Sequence, residues 1–259
     1  MPTTPAFGII VIGDEILSGK RRDGHMPKVI ELLAARGLEL TWAEFLGDTP
    51  ERLTNSLRNS MAGTDIVFSF GGIGATPDDR TRQCAAAAAG VDLEPHPDGV
   101  EELRANFGDD ITPQRQRMVE FPRGSVIIPN PVNRIPGFSV GHHHFVPGFP
   151  NMAWPMIEWV LDHYYAGLHA TGQYKERALT VQGLRESHAI PILEEFTGRY
   201  PDVRLSCLPR WCPPEYELEL GVRGPAAEVD TVIAALSSRL DAQGISWGEK
   251  DLSRTEPGE

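Results

Sequence analysis

The sequence predicts an α/β fold, with a three-layer α/β/α domain built on a mostly parallel sheet and a second, smaller α+β domain of βαββα order. Apolar runs alternate with helical patterns three times between residues 7 and 89, which is typical of a parallel sheet covered by helices on both faces. The pattern breaks at 167–174, and a shorter set of strands and helices follows. We therefore expect domains at 1–167 and 175–247, with a polar tail at 248–259.

Three strand-and-helix pairs open the chain. Each strand is an apolar run that ends in glycine and a carboxylate, and each helix carries apolar side chains at the spacing of one helical face. The predicted strands are Phe7–Ile12, Leu38–Phe45 and Asp65–Phe70. The predicted helices run from about Met26 to Leu33, with Ile30 on the apolar face, from Pro50 to Met61 and from Arg80 to Ala89.

Shorter elements complete the first domain. The sequence predicts helices at Asp98–Phe107 and Pro113–Glu120, a strand at Val126–Ile128, a hairpin across Gly141 and a helix after Pro150. In the second domain the predicted strands are Arg177–Gln182, Val203–Leu208 and Tyr216–Val222, and the predicted helices are Glu186–Tyr200 and Ala226–Leu240. The order of these five elements is the βαββα pattern.

Charge and composition limit the function. The net charge of −12 and the isoelectric point near 5.1 argue against a protein that binds DNA or RNA by neutralising phosphates. No apolar stretch approaches the roughly 20 residues that a membrane helix needs, and the first residues do not resemble a secretory leader. We therefore expect a cytoplasmic protein with no nucleic-acid or membrane partner.

The most informative stretch is the glycine-rich turn after the third strand. Glycine allows positive φ and the close approach of a ligand, and the N–H groups that begin a helix attract anions. The predicted phosphate-binding residues are Gly71, Gly72, Ile73, Gly74, Ala75 and Thr76. Asp78 and Asp79 follow directly and would repel a phosphate unless a divalent cation lay between them. The alternative interpretation is that either aspartate only caps the next helix.

Carboxylates follow all three predicted strands. Asp14 and Glu15 come after the first strand, Asp48 after the second, and Asp78 with Asp79 after the third. Ligands of open α/β sheets bind beyond the carboxyl ends of the strands, so we expect the three acidic turns to meet at one edge of the sheet. Asp48 also has an alternative role, because Asp before Thr-Pro-Glu is a good helix cap.

The tract His142-His143-His144 raises the question of a metal site. Neighbouring residues on a strand point to opposite faces, so three consecutive histidines do not easily bind one ion. We interpret the tract as incidental.

Four motifs, in order along the chain, resemble the signatures of the molybdopterin-binding (MoaB/Mog) domain family. They are Gly13-Asp14-Glu15-Ile16-Leu17-Ser18-Gly19, Gly71-Gly72-Ile73-Gly74-Ala75-Thr76-Pro77-Asp78-Asp79-Arg80-Thr81, Asn130-Pro131-Val132 with Pro136-Gly137-Phe138, and Pro147-Gly148-Phe149-Pro150-Asn151-Met152. The resemblance covers about residues 7–163. It is greatest to the N-terminal part of CinA-type competence/damage-inducible proteins and to the pterin-binding-like domain of FAD synthases.

The resemblance implies a pocket for a phosphorylated pterin or nucleotide, with molybdopterin among its ligands, and an assembly of two or three copies. By motif position it assigns catalysis to Asp48 and Asp79, with Asp48, Asp78 and Asp79 holding Mg²⁺ or a similar divalent ion. It places Asp14, Glu15, Asn130, Pro147 and Gly148 in the substrate pocket. CinA-type domains imply hydrolysis of a nucleotide pyrophosphate such as ADP-ribose.

The chain departs from the family pattern at two points. Asp23-Gly24-His25 stands where the family usually has Asp-Thr-Asn, and Gly74-Ala75-Thr76 stands where Gly-Pro-Thr is usual. The first departure lies near an expected contact with substrate and puts that contact in question. The amidase segment that acts on nicotinamide mononucleotide in CinA proteins is not in this sequence, so we expect no such activity.

Three functions stay open at this stage. The first is a metal-dependent nucleotide pyrophosphatase of the ADP-ribose type, or a molybdopterin adenylyltransferase-like enzyme. The second is a protein that binds a pterin or nucleotide without turnover, and the third is a scaffold that uses the fold for oligomer contacts. Release of AMP or phosphate from ADP-ribose distinguishes the first from the others, and a ligand-induced melting shift distinguishes the second from the third.

Overall fold

The computed structural model describes residues 5–170, 172–212 and 215–252, without the side chains of Cys212 and Glu215. The described residues form two compact units, one within Met1–His169 and the other within Ala170–Glu259. The unit boundary falls inside the stretch 167–174 where the sequence pattern breaks.

The first unit is an α/β domain. Its strands are β1 (Phe7–Ile12), β2 (Leu40–Leu46), β3 (Ile66–Phe70), β4 (Leu93–Pro95), β5 (Glu120–Pro122), β6 (Val126–Ile128), β7 (Gly137–Val140) and β8 (His143–Val146). Its helices are α1 (Asp14–Leu17), α2 (His25–Ala34), α3 (Pro50–Met61), α4 (Thr81–Ala89), α5 (Pro97–Phe107), α6 (Pro113–Arg117) and α7 (Pro150–Tyr164), with a 3-10 turn at Ala166–Leu168.

The central sheet has six strands in the order β2-β1-β3-β8-β7-β6. The pairs β2–β1, β1–β3 and β3–β8 are parallel, whereas β8–β7 and β7–β6 are antiparallel. Every residue of β1 and β3 is buried, as expected for central parallel strands with helices on both faces. The predicted mostly parallel sheet is confirmed.

Two layers of helices cover the sheet. On one face Val29 and Leu33 of α2 pack with Met156 and Val160 of α7 in one buried cluster. On the other face a second cluster contains apolar residues of three helices, namely Leu53 and Leu57 of α3, Cys84 and Ala85 of α4, and Leu103 of α5. The small side chains of α4 let this helix pack closely on α3. The predicted three-layer arrangement is confirmed.

Helix α2 buries the predicted Val29 and Leu33 and packs Met26 against the core, but Ile30 differs from its prediction. Its buried residues are His25, Val29, Leu32 and Leu33, whereas Ile30 is 45% exposed. The buried positions follow the i, i+4, i+7, i+8 spacing of one face, and Ile30 lies off that face. The expected position of Ile30 on the apolar face was therefore wrong.

The structure also forms elements that the sequence pattern did not indicate. Helix α1 follows β1 after Gly13 and was not predicted. Helix α6 was predicted, but it ends at Arg117 rather than Glu120. Glu120 instead starts β5, which pairs antiparallel with β4. Two strands of three residues each are too short to show a periodic pattern in the sequence.

The second unit is an antiparallel α+β domain with strands β9 (Tyr174–Gln182), β10 (Arg204–Cys212), β11 (Glu215–Pro225) and β12 (Trp247–Glu249) and helices α8 (Glu186–Arg199) and α9 (Ala226–Asp241). The sheet order is β10-β11-β9-β12. Val181, Phe196, Leu220 and Val232 belong to its separate core. Gly248 and Glu249, expected in the polar tail, pair with β9 in β12; the end of that tail, 253–259, lies outside the described residues.

No helix among the described residues combines the length and the apolar character needed to cross a membrane.

Candidate functional site

The candidate site lies at the carboxyl ends of β1, β2 and β3. Gly71 and Gly72 follow β3 with φ values of 98° and 69°. A Cβ atom at Gly71 would lie 2.4 Å from the Ile12 carbonyl oxygen, and one at Gly72 would lie 2.2 Å from Thr81 Oγ1. Both the backbone angles and the close contacts therefore require glycine at these two positions.

Hydrogen bonds hold both ends of this loop. The Gly71 N–H donates to the Val146 carbonyl of β8 at 3.1 Å, and the Thr81 N–H donates to the Gly72 carbonyl at 2.9 Å. The Thr81 hydroxyl donates to the Gly71 carbonyl, also at 2.9 Å. These bonds fix the turn between the end of β3, the neighbouring strand and the start of α4.

The middle of the loop contains unused donors. Within the described residues, no protein acceptor takes the N–H groups of Gly72, Ile73, Gly74 or Ala75. The Thr76 N–H, in contrast, donates to Asp79 Oδ2 at 3.0 Å. Consecutive backbone N–H groups without protein acceptors can bind the oxygens of an anion. Four of the six predicted phosphate-binding residues thus have free N–H donors, whereas the N–H of Gly71 donates to Val146 and that of Thr76 to Asp79.

Asp79 interacts with its own loop. Its Oδ2 accepts the Thr76 hydroxyl as well as the Thr76 N–H, and it lies beneath Gly74, where a Cβ atom would be 2.4 Å from Oδ2. Helix α4 has no side-chain cap, so Asp79 closes the loop rather than capping the helix. Asp78 is exposed.

Asp14 and Asp48 bridge the ends of β1 and β2 reciprocally. The Asp14 N–H donates to Asp48 Oδ2 at 3.0 Å, and the Asp48 N–H donates to Asp14 Oδ1 at 3.2 Å. Helix α3 has no side-chain cap, so Asp48 does not act as the helix cap considered above. Each carboxylate keeps one oxygen outside this bridge.

The charged side chains of the three acidic turns are close enough to affect the pKa of Asp48. Burial raises the pKa of Asp48, and the charges of Asp14, Glu15 and Asp78 raise it further, while the bond from the Asp14 N–H acts in the opposite direction. Glu15 folds back over the end of β1, where a Cβ atom at Gly13 would lie 2.6 Å from Glu15 Oε2. The expectation that the strand ends bring these carboxylates to one edge agrees with this geometry.

This acidic edge is not a preformed metal cage. The residues that the structure describes contain no group of three or more His, Cys, Asp or Glu side chains placed to hold an ion. The free oxygens of Asp48 and Asp78 are hard ligands of the type that Mg²⁺ takes in small number, together with phosphate oxygens and water.

The remaining predicted pocket residues divide into two groups. Gly148, next to Pro147, approaches the glycine loop, since a Cβ atom on it would lie 3.4 Å from Gly71 Cα. Asn130 is buried and uses its side chain within its own loop: Nδ2 donates to the Ile135 carbonyl and Oδ1 accepts from the Val132 N–H, both at 3.0 Å. Asn130 therefore shapes a loop, whereas Gly148 lies at the site.

His25 is a site residue that the sequence reasoning did not assign. Its ring stacks on Phe70, the last residue of β3, with ring centroids 4.3 Å apart, and its Nε2 lies 3.2 Å from the Gly148 carbonyl. Burial lowers the pKa of His25, so the neutral ring donates from Nε2. The departure at Asp23-Gly24-His25 was the signal in the sequence, and Asp23 caps α2 by accepting from the N–H groups of His25 and Met26.

Arg82 is a second unassigned residue. It is 2% exposed, and its guanidinium donates to the Gly74 carbonyl at 2.7 Å, to the Glu120 carbonyl at 3.2 Å and to the Arg117 carbonyl. Arg82 therefore ties the glycine loop to the segment before β5. An arginine in the first turn of an alanine-rich helix was its only signal in the sequence.

The histidine tract lies away from this edge. His144 bonds to Ser139 Oγ at 2.8 Å and to the Tyr165 hydroxyl at 2.7 Å. His143 points to the opposite face of β8, beside Phe145. Neighbouring histidines of the tract therefore face different layers, as the strand interpretation predicts.

Comparisons with known proteins add to this geometry. The protein family described as “Probable molybdopterin binding domain” matches residues 8–166. A CinA-like protein of Anaeromyxobacter sp. (strain K) is 33% identical over 232 residues, which are 85% of this chain and 55% of that protein. The chain therefore spans about half the length of the curated relatives of this kind. A protein of Pyrobaculum calidifontis is 28% identical over 213 residues, which are 80% of this chain and 81% of that protein.

A solved structure shares the fold of the first unit. The protein CinA of Thermoplasma acidophilum, described as having unknown function, superposes with a TM-score of 0.55 and 27% sequence identity. The match covers 61% of this chain and 97% of that one.

Proposed function

The chain belongs to the family of the “Probable molybdopterin binding domain”, and from this premise we propose that it binds a phosphorylated pterin or nucleotide through the loop Gly71–Thr76. One observation carries the proposal: four consecutive N–H groups, from Gly72 to Ala75, have no acceptor among the described residues. Phosphate oxygens supply the acceptors that such a loop lacks. Arg82 adds a buried positive charge that donates to the Gly74 carbonyl.

A divalent cation completes the proposed site. The carboxylates of Asp14, Glu15, Asp48 and Asp78 make the potential next to a phosphate-binding loop more negative. Burial raises the pKa of Asp48, and the charges of the other three add to that shift. Mg²⁺ bound by Asp48 and Asp78 would offset the repulsion between carboxylates and phosphates, since Mg²⁺ uses one or two carboxylates together with phosphate oxygens. When bound, it supplies Lewis-acid polarisation of a phosphoryl oxygen.

We further propose hydrolysis of a nucleotide pyrophosphate such as ADP-ribose, with Asp48 and Asp79 as the catalytic residues. The loop orients the pyrophosphate with its N–H groups, and Asp79 holds the loop closed through Thr76. Asp48, through the cation that it would hold, would orient the attacking water toward the pyrophosphate. Binding without turnover is the second candidate, favoured by the absence of a preformed carboxylate cage among the described residues.

The test uses the full chain with ADP-ribose and GTP as probes, each with and without MgCl₂. We expect both probes to raise the melting temperature more strongly with Mg²⁺. We expect ADP-ribose to yield AMP and ribose 5-phosphate only with the metal. Chromatography of the products measures turnover, and calorimetry measures binding.

Two variants sharpen this test. Asp48→Asn removes one charge at the acidic edge and should abolish the effect of Mg²⁺ on binding and turnover. Asp92→Asn removes an exposed charge that pairs with Arg123 at 3.4 Å and should leave both unchanged. Binding of ADP-ribose without release of AMP would favour the non-catalytic function. If neither probe shifts the melting temperature, with or without Mg²⁺, the result would contradict the proposed phosphate site.

A further inference from the structure

Helix α6 ends beside the loop Gly71–Thr76. Arg82 connects the two, since its guanidinium donates to the Gly74 carbonyl at 2.7 Å and also to the Arg117 carbonyl. Because both carbonyls bind one planar guanidinium, their oxygens lie within about 7 Å of each other. Arg82 is buried, so water does not compete for these bonds.

The segment that carries Arg117 is fixed on its other side as well. The Val119 N–H donates to the Gln116 carbonyl at 3.1 Å, and the Val119 carbonyl accepts from the His96 N–H at 2.9 Å. The Val119 side chain is fully buried in the core cluster that α3, α4 and α5 share. Arg117 therefore extends from an anchored segment rather than from a free loop.

Helix α6 contains two arginines with different surroundings. Arg115 forms an ion pair with Asp110 and lies over the Phe107 ring, 4.2 Å from its centroid. Arg117 is exposed, and its guanidinium has no hydrogen bond or ion pair with any residue that the structure describes. This is a chain in which carboxylates outnumber Lys and Arg by 36 to 24. The guanidinium of Arg117 is thus available to an anion from outside the protein.

The charge of Arg117 acts on the group that contacts the loop. Burial lowers the pKa of Arg82, the charges of Glu120 and Asp79 raise it, and the charge of Arg117 adds to the lowering. The two guanidinium groups are therefore close to each other, and that of Arg82 contacts Gly74. An exposed positive charge thus lies beside the free N–H donors of the loop.

We propose that Arg117 is a specificity-determining residue of the phosphate site and binds the second phosphate group of a diphosphate ligand. The free N–H groups of Gly72–Ala75 hold one phosphate, and the fork of N–H donors on Arg117 binds oxygens of the next one. A monophosphate ester reaches only the loop. The site therefore takes diphosphate esters in preference to monophosphate esters, and this inference rests on the phosphate site proposed above.

Calorimetry with the full chain and MgCl₂ compares ADP with AMP. We expect the wild type to bind ADP at least tenfold more tightly than AMP. Arg117→Gln keeps the backbone carbonyl that accepts from Arg82, so it should fold like the wild type. It should weaken ADP binding at least tenfold and leave AMP binding unchanged. Arg117→Lys keeps the charge without the fork of donors and should recover part of the affinity for ADP.

Arg123→Gln is the matched control, because Arg123 is an exposed arginine of the same unit that pairs with Asp92 at 3.4 Å. It should keep both affinities. The role of Arg117 would be wrong if Arg117→Gln kept the preference for ADP, if it weakened ADP and AMP equally, or if the wild type bound both equally. Each of these results would leave the phosphate site intact. Absence of binding by both nucleotides would instead contradict the phosphate site, and this inference with it.

Discussion

Asp79 combines a structural and a proposed catalytic role in one side chain. Its Oδ2 accepts both the N–H and the hydroxyl of Thr76. Asp79→Asn keeps an acceptor oxygen for Thr76 but removes the charge that the second oxygen, Oδ1, would offer to Mg²⁺ beside Asp48 and Asp78. We therefore expect its stability to stay near that of the wild type while Mg²⁺-dependent ADP-ribose binding is lost. Asp79→Ala leaves the Thr76 donors without a partner and should lower the free energy of unfolding by about 1 kcal/mol. Thermal melts and calorimetry measure both effects; full metal-dependent binding by Asp79→Asn would contradict the catalytic assignment.

The lowered pKa values of the buried His143 and His144 predict a dependence of stability on pH. Burial lowers their pKa values to about 4 and about 3, from 6.5, so between these values the unfolded chain binds more protons than the folded one. The free energy of unfolding therefore rises with pH in this window and falls on acidification below 6.5, by up to about 1.4 kcal/mol per pH unit for each histidine.

Denaturant melts between pH 7 and pH 4.5 test this dependence. His144→Gln does not titrate and can still bond to Ser139 and Tyr165, so its stability should fall less steeply on acidification. His163→Gln, at an exposed position of the same unit, is the matched control and should keep the steep slope. Equal slopes for all three proteins would show that the buried histidines do not govern the acid response.

At the scale of elements, the glycine loop depends on two kinds of constraint. Gly72 has φ 69° and no room for a Cβ atom, which would lie 2.2 Å from Thr81 Oγ1. We expect Gly72→Ala to destabilise the fold by more than about 1 kcal/mol and to abolish nucleotide binding. Gly90→Ala is the control, because Gly90 has φ 70° but open space around it. Gly90→Ala should lower stability through backbone strain alone and should keep nucleotide binding. Loss of binding in both variants would show that binding is lost through general instability rather than through a change in the loop.

The strands and helices of the central sheet were largely predictable from sequence, and so was the meeting of Asp14 with Asp48. Parallel strands end at the same edge, so carboxylates that follow them come together whatever the details of packing. The role of Asp79 was not predictable, because it depends on the backbone path of one loop. His25 and Gly148 are 123 residues apart in sequence, and no local pattern reports a contact over that separation.

At the scale of the whole molecule, the two units have separate cores. Residues of the first unit fill the two clusters on either side of the central sheet, and the cluster around Val181 and Leu220 contains only residues of the second. We expect residues 1–169 to fold alone, as domains with their own cores do, and to melt cooperatively. Circular dichroism and calorimetry of that fragment measure this. An insoluble fragment, or one without a cooperative transition, would contradict the separability of the units.

The assembly into a dimer or trimer, expected from the family resemblance, stays a prediction.

The reciprocal bridge between Asp14 and Asp48 makes the backbone itself a reporter of the site. Each amide proton of this pair is held by the carboxylate of the other residue, at the edge where the proposed cation would bind Asp48. Hydrogen exchange at an amide follows the opening of its hydrogen bond. Occupancy of the acidic edge should therefore appear in the exchange rates and chemical shifts of these two amides, before any product is formed and without any substitution.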